Sequence, residues 1–126
     1  MPKNISSDSI KWLAEPEDHD YPAAASYLSL LQPPEAVERT VRSLKQAPPT
    51  QYHAKDIFRA SGLSLLGISN SHVERDVQKI KSGKSLSPLL LVRDPPLGRV
   101  VVADGYHRLC AVYSFDEDAV VPCRIV

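Results

Sequence analysis

Eleven prolines cut this chain into short pieces, so no regular element can run far before meeting one. Proline lacks the backbone N–H and clashes with the preceding helical turn, which keeps it out of helix interiors and central strands. The prolines stand at positions 2, 16, 22, 33, 34, 48, 49, 88, 95, 96 and 122, nearly all of them between periodic segments. They therefore read as element boundaries. No repeat or low-complexity tract interrupts the pattern, and 126 residues suit one domain with a real core.

Residues 1–19 are polar and irregular, with a short helix expected around Ser9–Ala14. Asp20-Tyr21-Pro22 reads as an N-cap followed by a first-turn proline. Ala24, Tyr27, Leu28 and Leu31 then repeat at helical spacing. Pro33-Pro34 ends that helix and opens another, with Val37, Val41 and Leu44 on one face and the acid-first pairs Glu35–Arg39 and Glu38–Arg42 outside. The expectation is an antiparallel helix pair with little chemistry of its own. Pro48-Pro49 closes this N-terminal helical extension, residues 1–50.

Residues 51–126 alternate more quickly. Gln51–Ala54 reads as a short strand and Lys55–Ser61 as a short helix stopped by Gly62, followed by the apolar but irregular Leu63–Ile68. Ser71-His72-Val73-Glu74 has the form of a capping box ahead of Val73, Val77 and Ile80, with Lys79, Lys81 and Gly83 at the far end. Leu89–Val92 is apolar without a break and reads as a buried strand with no polar face. Asp94–Gly98 is a turn, Arg99–Ala103 a strand and Gly105–Phe115 a helix. In the last strand, Ala119–Val126, Pro122 argues for an edge position or a bulge. The fold class is α+β.

The chemistry concentrates in Asp104-Gly105-Tyr106-His107-Arg108, where an apolar strand gives way to a helix. Free N–H groups at a helix start carry partial positive charge and point at whatever lies beyond it. Histidine and arginine in that first turn oppose the macrodipole unless an anion lies among them. Fifteen basic residues balance fifteen acidic ones, which argues against a broad nucleic-acid footprint but leaves room for a local basic site. No apolar run reaches membrane-spanning length and the N-terminus has no signal-peptide core, so a cytoplasmic location and no membrane partner are expected. Cys110 and Cys123 form no metal motif and read as buried small hydrophobes.

From Gln51 to Val126 the order of these features resembles the ParB/sulfiredoxin-like superfamily. The matching pieces are Ala54-Lys55-Asp56-Ile57, the Val73–Lys81 helix ending in Ser82-Gly83, Ser87–Val92, Asp104–Arg108, Ala111 and Val120–Ile125. The resemblance implies a small mixed sheet with flanking helices that binds a nucleotide, ATP or CTP with Mg²⁺, at the Gly105-Tyr106-His107-Arg108 helix start. Gly105 would let the backbone approach the phosphates, with Tyr106 beside it, and His107 and Arg108 would donate to phosphate oxygens. Phosphoryl transfer or nucleotide hydrolysis would be the accompanying chemistry. Sulfiredoxins carry their catalytic cysteine immediately before His-Arg, where this chain has Tyr106, so sulfinic-acid reduction is not expected. The alternative implied function is a non-enzymatic regulatory module that binds DNA or protein, although the chain shows no helix-turn-helix to carry DNA recognition.

Each candidate has a plainer reading beside it. His107 and Arg108 could pair with Asp104 or Asp116 at the surface. Asp104 is either the helix N-cap, which is favoured, or a general base or metal-bound carboxylate. Ser71 and His72 could offer a second set of phosphate-facing N–H groups, though the capping box alone accounts for Ser71. Lys55 could reach a phosphate or simply be a surface lysine. Asp18, His19 and Asp20, with Glu15 and Glu17 nearby, could hold Mg²⁺ or, through Asp18, supply a base. The favoured alternative is a solvated acidic lead-in to the Pro22 helix. His53 has no evident partner, and Trp12, Tyr27 and Tyr52 read as packing residues.

Overall fold

The computed structural model describes residues 10–67 and 69–126. Its elements run α1 (Asp20–Leu28), α2 (Pro34–Gln46), β1 (Thr50–His53), α3 (Ala54–Ser61), α4 (Ser71–Lys81), β2 (Leu89–Asp94), β3 (Arg99–Asp104), α5 (Tyr106–Phe115) and β4 (Val120–Ile125). A 3₁₀ turn, Pro95–Leu97, joins β2 to β3. The four strands form one mixed sheet in the order β1-β4-β2-β3. β4 runs antiparallel to β1 and parallel to β2, while β2 and β3 make an antiparallel hairpin. The α+β class follows.

The unbroken apolar strand explains the layering. Successive strand residues point to opposite faces, so β2 presents Leu89 and Leu91 to one side and Leu90 and Val92 to the other. Leu89 and Leu91 pack with Ile57, Val73, Val77, Ile80, Leu109 and Val112 beneath α3, α4 and α5. Leu90 and Val92, with Ala103, pack beneath Ala24 and Leu28 of α1 and Val37 and Leu44 of α2. The N-terminal helical extension is thus the cover of the sheet's second face. Burying a leucine side chain contributes about 2 kcal/mol, and neither layer can be removed without exposing two large side chains of β2.

Four expectations are corrected here. The stretch expected as a helix around Ser9–Ala14 is extended where it is described, with Ser9 outside the described residues: Trp12 bridges Leu86 in parallel. The Leu13 N–H donates to the Leu86 carbonyl at 2.8 Å and the Leu86 N–H to Lys11 at 2.9 Å. These bonds satisfy the backbone while Ile10 enters the core. Ile68, the end of the irregular apolar run, also lies outside the described residues. Second, Pro122 is in β4, an inner strand. It is tolerated because the parallel ladder to β2 begins one residue later, at Cys123, opposite Leu89. Third, Asp20 is the first residue of α1 rather than its cap, and His19 stands at the N-cap without a side-chain bond. Fourth, Tyr27 and Leu31 are exposed, leaving Ala24 and Leu28 as the buried stripe of α1.

Helix α4 starts differently from its capping-box pattern. Asn70 is the N-cap, and its Oδ1 accepts from the N–H groups of His72 at 3.0 Å and Val73 at 3.2 Å. Ser71 is already helical, which moves Glu74 out of box register. Asn70→Ala is therefore expected to lower the unfolding free energy by about 1 kcal/mol. Ser71→Ala should stay within about 0.5 kcal/mol of wild type. Urea denaturation of the two variants measures both, and the reverse order would return the cap to Ser71.

Candidate functional site

Strand β3 delivers Asp104 to the edge of the sheet, and the chain then turns through Gly105 into α5. Gly105 sits at φ +103°, a left-handed conformation that side chains strain to adopt. A Cβ there would also stand 2.8 Å from Leu89 Cγ and 2.9 Å from Arg108 Nη2. The side of this glycine on which a Cβ would stand is thus filled by the protein's own Leu89 and Arg108.

Arg108 folds back over Gly105. Its Nη2 lies 3.0 Å from Asp104 Oδ2 and donates to the Pro88 carbonyl at 3.3 Å. Its Nε is buried without an acceptor among the described residues. Asp104 does not cap α5: the N-cap is Gly105, with no side-chain cap bond. The correction has a simple cause, since an i,i+4 arginine competes for the same carboxylate and supplies a charge-assisted bond. Burial pushes the Asp104 carboxyl above its ordinary range. Arg108 opposes that shift, and the Asp20 carboxyl, within hydrogen-bonding reach, adds to it.

Asp20 is the surprise of the acidic cluster. It is 2% exposed, and its Oδ2 accepts the Glu17 N–H at 2.9 Å. Asp18 and His19 remain at the surface, with His19 Nε2 3.5 Å from Asp20 Oδ1. Among the described residues, no three His, Cys, Asp or Glu side chains gather as a metal-holding group. The sequence cluster is therefore divided: Asp20 turns in toward Asp104, and its neighbours turn out.

Beside Gly105, α4 and α5 enclose a polar cleft of about 150 Å³, lined by His72, Arg75, Asp76, Lys79, Asp104, Gly105, Tyr106, His107 and Arg108. The rings of His72 and His107 lie 4.8 Å apart, tilted by 36°. Burial, then the neighbouring His72, lowers the His107 pKa from its ordinary value. Asp76, only 8% exposed, is pushed up by burial despite Lys79 Nζ at 3.9 Å. The two helix starts are not equivalent. Asn70 already occupies two N–H groups of α4, whereas the first turn of α5 has no side-chain cap and opens into the cleft.

The remaining candidates fall outside this grouping or have other work. Tyr106 lines the cleft, but its hydroxyl donates to the Ser64 carbonyl and so braces the segment after α3. Ser71 is exposed at the start of α4 and does not line the cleft. Lys55 is paired with Asp118, away from it. Cys110 is buried and accepts the Leu66 N–H at 3.5 Å, and burial raises the thiol pKa. Arg75, Asp76 and Lys79 were missed. With His72 they repeat at i, i+3, i+4 and i+7, so the polar face of α4 was as legible as the apolar face that was used.

Comparison with protein-family models, with curated proteins and with solved structures gives no match. Among the described residues, no helix is long and apolar enough to cross a membrane.

The raised pKa of Asp76 has a definite sign in stability. An acid whose folded pKa exceeds its unfolded value of 3.8 holds more protons when folded. Its contribution is complete below that value and is lost as pH rises through the folded pKa. Relative to Asp76→Asn, wild-type stability should therefore fall as pH rises from 3 to 6, as measured by urea denaturation at each pH. A difference that grows over that range contradicts burial as the dominant influence on this group.

Proposed function

We propose that the cleft between α4 and α5 binds the phosphates of a nucleoside triphosphate or diphosphate, in the manner of ParB/sulfiredoxin-like proteins. The observation that carries this reading is the uncapped start of α5, with its own His107, facing His72, Arg75 and Lys79 of α4 across one small cleft. Each of these groups donates hydrogen bonds, and a helix start adds partial positive charge. A volume of about 150 Å³ suits a phosphate tail, with ribose and base lying outside it. Arg108 acts mainly as a brace: held by Asp104 and Pro88, it fixes the Gly105 turn and adds positive charge to the cleft floor. Asp76 is the cleft carboxylate available to a phosphate-bound Mg²⁺, which would offset the charge of the phosphates.

A specific observation favours a nucleotide-binding regulatory module over a phosphotransferase. Asp104, the candidate general base, is engaged by both Arg108 and Asp20. The same contact links the α1 layer to the site, so a ligand that disturbs Asp104 acts on the N-terminal helices as well.

Calorimetric titration with ATP, CTP and GTP in the presence of Mg²⁺ tests the reading. Bound phosphate favours the protonated His107 ring, whose pKa is depressed in the free protein. Binding should therefore take up protons, seen as heats that differ between buffers of different ionisation enthalpy, and should tighten from pH 8 to pH 6. His107→Gln should weaken binding about tenfold, the loss of one charge-assisted bond, and reduce the proton uptake. No heat with any of the three nucleotides, or uptake unchanged in the variant, contradicts the proposal.

A further inference from the structure

A second recess lies at the other end of β3 from Gly105. It is a groove of about 400 Å³ between α3 and the β2–β3 turn, and it crosses all four strands. Ile57, Leu91, Val100 and Ile125 form its apolar floor, with Tyr52 and Ala60 at its sides. Small-molecule sites have this character, a largely apolar cavity of about 300–1,000 Å³ with a few polar groups that fix orientation.

Three charged groups stand at the rim, and two are already engaged. Asp56 is held by Arg59 at 2.9 Å, with His53 at 3.9 Å, and Arg99 is held by Asp94 at 3.1 Å. Arg93 pairs with no carboxylate among the described residues, although it is exposed at the groove. Strand alternation places Arg93 on the same face as Leu89 and Leu91, and it stands opposite Val100 in the hairpin. The apolar row of β2 therefore ends in an unmatched guanidinium.

That combination selects among ligands. A wholly apolar occupant would desolvate the Arg93 charge without compensation, and a cation would be repelled. A carboxylate matches the guanidinium fork and makes the stronger, charge-assisted kind of hydrogen bond. We propose that this groove binds a small organic carboxylate, with its apolar body over Leu91, Val100 and Ile125 and its head at Arg93. The site is independent of the phosphate cleft.

Titrations of the whole chain with octanoate, octan-1-ol and octylammonium, followed by ¹H–¹⁵N spectra and calorimetry, test this. Octanoate should shift the amides of Leu91, Val100 and Ile125 but not that of His107, and should bind more tightly than either analogue. Arg93→Ala should weaken octanoate about tenfold, the loss of one charge-assisted contact, and leave octan-1-ol unchanged. Ala60→Phe should fill the groove and abolish binding. Both variants alter exposed positions, so their thermal unfolding should match wild type. The proposal is overturned if octanoate produces no groove shifts, if octan-1-ol binds equally well, or if Arg93→Ala has no effect. It also fails if the groove amides shift with protein concentration alone, which would seat a second copy there.

Discussion

Strand β2 is the constraint on which the rest depends. Leu89, Leu90, Leu91 and Val92 have no polar face to give to water, so both faces of the strand must be covered. The chain supplies one cover from its N-terminal helices and the other from α3, α4 and α5. Pairing on both edges follows from the same demand, with β4 on one side and β3 on the other. A parallel neighbour from the end of the chain and an antiparallel one from the next hairpin make the sheet mixed.

The candidate site is a consequence of that layering. With β3 beside β2, its last residue, Asp104, emerges at the rim, where α1 lies on one face and α4 on the other. Gly105 makes the turn in little space, because Leu89 of β2 fills the volume where a Cβ would sit. Arg108 then closes over the turn to Asp104, and Asp20 reaches the same carboxylate from the second layer. Buried groups of opposite charge hold the floor of the cleft, while His72, His107, Arg75 and Lys79 line its walls. The His72 ring lies close enough to His107 to disfavour protonation of His107 until an anion intervenes.

Much of the element order was legible because prolines and glycines punctuate it. The strand of four apolar residues, the Gly62 and Gly105 turns and the Asp104–Arg108 segment were all read in their observed positions. Each error has a physical cause. Asn70 displaced Ser71 as the cap of α4 by a one-residue shift, which no capping-box pattern distinguishes. Trp12 and its neighbours became extended because Leu86 offered long-range backbone partners, invisible in a local window. Asp20 entered the site across the sheet for the same reason. Pro122 was read as an edge signal, although what admits it is the staggered start of β2.

The central claim is that the cleft at the α5 start is an anion grip in which His72 and His107 take part. The most direct measurement is the imidazole ¹H–¹⁵N spectrum of these two residues during a titration with pyrophosphate at constant pH. The account predicts that His107 moves toward the protonated imidazolium as pyrophosphate is added, with His72 responding alongside it and His19 and His53 unmoved. Imidazole resonances that stay fixed for His72 and His107, or that move equally for all four histidines, would contradict it.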